Sequence, residues 1–239
     1  MESHIVLTPE ILGYMGSLPV SNTLLVSWMV MGFLLIISVL ATKNVQLVPT
    51  GLQNLVELVI EGIYNTVSEL AQEKTKVIFP VVATFFLFIL TANWLGLLPG
   101  FATITYKNLP LLRSINSDLN MTLSLALVSA VITHGLAIRY LGVIDYLKKW
   151  FSFNPIFLFV GLLELVSEFT KIVSLSFRLF GNIFAGEVVL STVAGIFAFL
   201  IPLPFYFLEI IVGFVQAAVF MMLSLVFMVL LSEKHTNEH

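Results

Sequence analysis

The sequence predicts an all-α integral membrane protein: five membrane-crossing helices, the last two long and tilted, and one amphipathic helix at the interface. Composition is the first reason. Of 239 residues, 59% are hydrophobic and 10% charged, with a mean hydropathy of +1.03, whereas soluble domains carry roughly 25% charge. The second is a series of charge-free runs as long as a bilayer is thick. The third is a lopsided distribution of Lys and Arg among the loops. No solenoid-length repeat, low-complexity linker or soluble segment interrupts the chain, so residues 1–239 read as one membrane domain.

No charge occurs between Glu10 and Lys43. About 20 apolar residues at 1.5 Å each cross the hydrocarbon core, which puts the first span at 22–42. Residues 49–73 differ in kind. Leu52, Leu55, Val56, Val59, Ile60, Ile63, Val67 and Leu70 recur at helical spacing, and Gln53, Asn54, Glu57, Glu61, Asn65, Ser68 and Glu69 lie largely off that stripe. Pro49 suits a helix start. The polar face is acidic, however, where lipid-bound helices favour Lys and Arg, so packing on protein competes with lipid contact. Uncharged runs between Lys76 and Lys107, and between Asp118 and Arg139, predict spans at 77–99 and 119–138. The apolar stretch from Phe151 to Leu231 is broken by Ile201-Pro-Leu-Pro204, predicting helices at 155–199 and 205–231. The first exceeds what a perpendicular span needs, so it must tilt, bend or protrude. A straight hairpin turning near Leu203 would not bring Arg178 level with Gln216; a bend, with Gly195 a candidate, or a non-helical stretch within 187–201 is required.

With the N-terminus outside, the inner loops hold Lys43, Lys74, Lys76, Arg139, Lys148, Lys149 and Lys234, and the outer loops hold Lys107 and Arg113. That excess supports N-out, C-in topology. The chain has no cysteine, which removes disulfides and thiolate metal sites. His4, His235 and His239 are isolated terminal residues, and His134 reads as a packing or interfacial histidine. Gly181 and Gly186 read as small residues permitting close helix approach. There is no phosphate-binding glycine motif, paired-histidine metal helix or nucleophile constellation, so neither catalysis by this chain alone nor a bound cofactor or metal is expected. The net charge of −3 gives no indication of a nucleic-acid partner, and none is expected.

The charges of the last two helices carry the chemistry. Glu164, Lys171 and Arg178 are spaced by seven, drifting about 20° per step, so they share a helix face, with Asn182 one turn further on. Glu187, nine residues past Arg178, is turned by about 180°. Arg178 cannot neutralise itself, and holding it at membrane depth costs at least about 2.5–3.5 kcal/mol. A charge of that cost lines a wet path, faces a charged partner or clamps carbonyls. Glu164, Glu168 and Lys171 are candidates for a half-channel or for ion pairs at a hydrated helix end; Glu168 and Lys171 stand at i, i+3. Glu209 and Gln216 share a face of the last helix. Gln216 can steady a guanidinium without neutralising it, or act as interhelical glue. Glu187 and Glu209 read as stations on an ion path.

Ser176-Phe-Arg178-Leu-Phe-Gly-Asn182-Ile-Phe-Ala-Gly-Glu187, with Gln216-Ala-Ala-Val-Phe-Met-Met-Leu, resembles the a subunit of bacterial and plastid F-type ATP synthases. Pro49-Thr-Gly-Leu-Gln-Asn54 and Asn93-Trp-Leu-Gly-Leu-Leu-Pro99 are similar to the same family. The resemblance implies a stator subunit whose arginine, here Arg178, faces the carboxylate of a rotating c-ring between two aqueous half-channels. It further implies ion-path roles for Asn182, Glu187 and Gln216. Glu209 stands where some relatives have histidine, and Gly96 where some carry aspartate. Implied partners are the c-ring, the peripheral-stalk b subunits and the lipid bilayer; the transported ion is H⁺ or Na⁺. A bacterial plasma membrane is expected in preference to a plastid thylakoid. A secondary ion transporter is the rival reading, but such folds show internal repeats with matched broken helices, and a structural scaffold does not account for the buried charges.

Overall fold

The computed structural model describes residues 9–16, 18–98, 101, 105–106, 109–150, 155–196 and 202–233. Lys107, Lys234, Pro99, Ile201 and the terminal histidines lie outside the described residues.

A short antiparallel hairpin, β1 (Ile11–Met15) with β2 (Leu18–Ser21), leads into helix α1 (Asn22–Thr42). Ser21 caps α1 by accepting from the Leu24 amide at 3.2 Å, which satisfies one of the first-turn donors. Helix α2 (Leu52–Ala71) runs through a single 3₁₀ turn into α3 (Thr75–Gly96). Gly51, at φ +58, begins α2, a backbone angle that favours glycine. A two-residue pairing of β3 (Thr105–Tyr106) with β4 (Leu109–Pro110) precedes α4 (Leu119–Leu141). Asp118 caps α4, accepting from the Asn120 amide at 2.9 Å. Gly142, at φ +85, ends α4 and starts the short α5 (Val143–Trp150). Two long helices follow, α6 (Pro155–Ile196) and α7 (Pro202–Ser232).

Helix α7 is central. It packs on α2, α3, α4 and α6, while α1 packs on α3 and α5 joins α4 to α6. The main core runs through Val67, Val82, Ile89, Leu179, Phe220, Leu225 and Met228, and a smaller cluster around Val26, Val30, Ala92 and Ile115 sits at the hairpin end. Outside this core, α1 exposes Leu35, Ile36, Val39 and Leu40, and α6 exposes Leu163, Val166 and Phe169. Buried hydroxyl pairs tie the bundle: Thr122 with Ser176 at 3.1 Å and Ser129 with Ser224 at 2.9 Å. Such pairs contribute about 1 kcal/mol each in an apolar surround.

Among the described residues, four helical segments are long and apolar enough to cross a membrane: Asn22–Thr42, Leu52–Gly96, Leu119–Leu141 and Pro202–Ser232. At 42 residues, α6 is about 63 Å long. Several expectations need correction. The interfacial helix expected at 49–73 spans 52–71, because Gly51 rather than Pro49 sets its start. Its stripe is split: Ile63 and Val67 are buried, but Leu52 and Leu55 are exposed. The last helix begins at Pro202, three residues early, since prolines are tolerated in a first turn whose amides lack helical acceptors. Over its described length α6 is continuous, with Gly195 inside it. The hairpins and α5 were not expected.

Candidate ion-translocation site

At the hairpin end, α3, α6, α7 and the 3₁₀ turn Ile115–Ser117 meet around Asn93. Its amide donates to the Gly213 carbonyl at 2.9 Å and its carbonyl accepts from Asn116 at 2.6 Å. A side chain at Gly213 would press on Asn93 at 3.1 Å, so glycine there lets α3 close onto α7. Beside this node lies a small cavity lined by Asn93, Gly96, Leu97, Ser114, Ile183, Glu187 and Glu209. The two carboxylates expected on an ion path therefore share one space, and each lies in the other's field. Glu209 is 5% exposed and Glu187 half-buried. Glu187 also faces the hydroxyls of Ser117 and Ser114 and the charge of Arg113. Gly186 has a specific reason to be glycine: a Cβ there would collide with the Glu209 carboxyl group. Gly181, by contrast, meets no neighbour within 4 Å among the described residues of this chain. Gly96 lines the cavity, and a Cβ on it would sit 2.9 Å from Ser114 Oγ; the serine fills the space an acidic side chain would need.

Arg178 occupies a different setting. It is exposed, as is Asn182 one turn on, and lines an open groove with Leu163, Val166, Ser167, Thr170, Lys171, Ser174, Leu223 and Phe227. Among the described residues its guanidinium makes no side-chain hydrogen bond or ion pair. Along the α6 axis Arg178 stands about 13.5 Å from Glu187 and about 15 Å from Glu168, at 1.5 Å per residue. It thus divides two acidic regions. Gln216 is half-buried on α7, lines neither the carboxylate cavity nor this groove, and makes no side-chain hydrogen bond among the described residues.

Residues 24–229 match the family described as ATP synthase A chain. The chain is 37% identical over 205 residues to ATP synthase subunit a of Geotalea daltonii, covering 84% of this chain and 83% of that protein. It is likewise 37% identical over 205 residues to the Geobacter sulfurreducens subunit, with the same coverage. It is 35% identical over 211 residues to that of Citrifermentans bemidjiense, covering 87% and 86%. The chain belongs to the ATP synthase A chain family. It is a membrane protein of ATP synthesis and ion transport, and works in a complex with other ATP synthase subunits.

Within this ATP synthase a subunit, a third polar region lies toward the far end of α6. Lys171 Nζ donates to Glu168 at 2.6 Å and sits 4.8 Å from the Phe227 ring centroid. The i, i+3 pair expected from spacing is therefore formed. A cavity beside it is lined by Ser129, Thr133, His134, Glu168, Lys171 and Phe227. Glu164 is half-buried, and its charge acts on Tyr146 of α5. Sequence reasoning missed Asn93 as a structural node, Arg113, Ser114 and Ser117 as neighbours of Glu187, and Tyr146. The signal for Asn93 was present as a polar residue at the end of an apolar span; the others sit in loops or on α5, where periodicity says nothing about partners.

Proposed function

We propose that this chain is the stator channel of the ATP synthase membrane sector, coupling H⁺ or Na⁺ flow to rotation of a c-ring. The observation that carries the reading is the placement of Arg178: exposed on α6, between the Glu187–Glu209 cavity and the Glu168–Lys171 cavity. In this reading α6 is a fifth membrane crossing and α2 lies at the interface. The N-terminus faces out and the C-terminus faces the cytoplasm across a bacterial plasma membrane. The carboxylate cavity serves the outer half-channel; Glu164, Glu168 and Lys171 flank the inner one.

The mechanism follows from charge energetics. A deprotonated ring carboxylate is too costly in lipid, but is stabilised beside Arg178. An ion arriving through Glu187 and Glu209 neutralises it and releases it into the bilayer. At the other half-channel the ion leaves, and the bare carboxylate returns to the guanidinium. A fixed positive charge in a low-dielectric site repels cations, so ions do not pass directly between the half-channels. Asn182 extends the polar face that meets the ring, and Gln216 steadies the guanidinium when the ring is in place. The chain hydrolyses nothing itself, and the peripheral stalk's b subunits hold it still.

Replacing Arg178 tests this. Arg178→Ala is expected to abolish ion-driven ATP synthesis while complex abundance stays near normal. Arg178→Lys is expected to be severely impaired, since a compact ammonium lacks the planar fork and can lose its proton when desolvated. Normal synthesis in either variant contradicts the assignment.

A further inference from the structure

The Glu168–Lys171 cavity holds a titratable group that the coupling scheme above leaves unused. His134, on α4, lines it, and Nδ1 of its ring is 2.9 Å from the Tyr146 hydroxyl. Tyr146 and Trp150 of α5 flank the imidazole, with ring centroids 6.1 and 6.2 Å away. The cavity measures about 20 Å³, room for one water, and Ser129, Thr133 and Glu168 give that water polar partners. Lys171, Leu175 and Phe227 line both this cavity and the groove of Arg178. The two spaces therefore adjoin across one wall.

We propose that His134, oriented by Tyr146, is a proton-relay station between the Arg178 groove and the aqueous phase on the α5 side. This rests on the reading of the chain as a rotary ion channel. With the Tyr146 oxygen accepting from Nδ1–H, Nε2 keeps its lone pair for a cavity water. A proton released at the groove passes to that water and then to Nε2, forming imidazolium. The imidazolium then gives up the Nε2 proton to a cavity water that exchanges with the α5-side phase, which restores the neutral Nδ1–H ring still bonded to Tyr146. Burial, then the negative charge of Glu168, raises the Tyr146 pKa above the usual tyrosine value, so its hydroxyl keeps its proton and remains a fixed partner. The charged and titratable groups facing His134 among the described residues are Tyr146 from α5 and Glu168 and Lys171 from α6; Phe227, also lining the cavity, comes from α7. The Glu168 and Lys171 charges act on the imidazole with opposite sign.

The test uses the complete membrane sector in sealed vesicles, stripped of the catalytic head, measuring passive proton flux per complex while the α5-side pH is stepped from roughly 6 to 8, the range in which histidine titrates. His134→Gln is expected to cut flux roughly tenfold, less than a positioned acid–base group can contribute because water can bypass it. Its dependence on α5-side pH should flatten, and imidazole added on that side should restore flux. Tyr146→Phe, which keeps the ring stack, should lower flux with partial rescue. Wild-type flux and pH profile in His134→Gln overturn the proposal. So does a loss without imidazole rescue, which marks a packing residue, and so does flux carried by Na⁺ rather than H⁺. If Arg178→Ala retains coupled synthesis in vesicles that keep the catalytic head, it is the channel reading itself that fails.

Discussion

Gly186→Ala separates transport from stability. A Cβ at this position would overlap the carboxyl group of Glu209. The obstacle is the end of a flexible side chain, so the fold can absorb it: Glu209 must withdraw by roughly 1.5 Å to regain ordinary van der Waals separation. Helix α6 meanwhile gains up to about 1 kcal/mol from losing a mid-helix glycine. Complex abundance and thermal stability should therefore hold or rise slightly. Transport should not. A reacting group misplaced by about 1 Å can cost on the order of a hundredfold, and in a hydrated path roughly a tenfold loss is expected. The assay is ATP-driven ion uptake into vesicles, normalised to the amount of assembled complex. Gly186→Ala combined with Glu209→Asp should recover part of the rate, because the shorter side chain clears the new methyl. Wild-type uptake in the single variant would show that the carboxylate's position is immaterial. A depleted complex would show that the contact is structural.

Asn93→Leu leaves the buried Asn116 amide without its acceptor, at about 1–3 kcal/mol, and removes the bond that ties α3 to the Gly213 carbonyl; the purified complex should melt lower, and an unchanged melting temperature would refute the node. Gln216→Leu should weaken coupling, read as increased passive leak with near-normal abundance; depletion of the complex instead would make Gln216 helix glue. Cysteines placed singly at Glu187 and Glu209 should react with a water-soluble thiol reagent added outside, and protection of both would show that no aqueous path reaches that cavity.

Much of this architecture was legible in the residues because the bilayer imposes simple rules. Charge-free runs located α1 and α3 to within a few residues, and helical phase turned Glu187 away from Arg178. The shared cavity of Glu187 and Glu209 was less accessible, since it depends on how α6 and α7 cross, and Gly186 governs that contact through a clash no periodicity reveals. Asn93 shows the same limit: an amide at the end of a span signals cost, but its partners, Gly213 and Asn116, are 120 and 23 residues away in sequence. Helix α5 is amphipathic but only eight residues long, too short for a pattern to stand out, and Gly142 at its start is recognised by its backbone angle. The prolines opening α7 misled because a break between helices and a first helical turn use the same residue.

The central claim is that Arg178 keeps ions from crossing between the two half-channels without rotation. Passive ion flux through the membrane sector, measured with the ring cross-linked to the stator so that it cannot turn, tests this directly. No flux is expected through the cross-linked wild type, and a measurable leak through cross-linked Arg178→Ala. Equal, negligible flux in both would contradict the claim, since the barrier would then lie elsewhere in the protein.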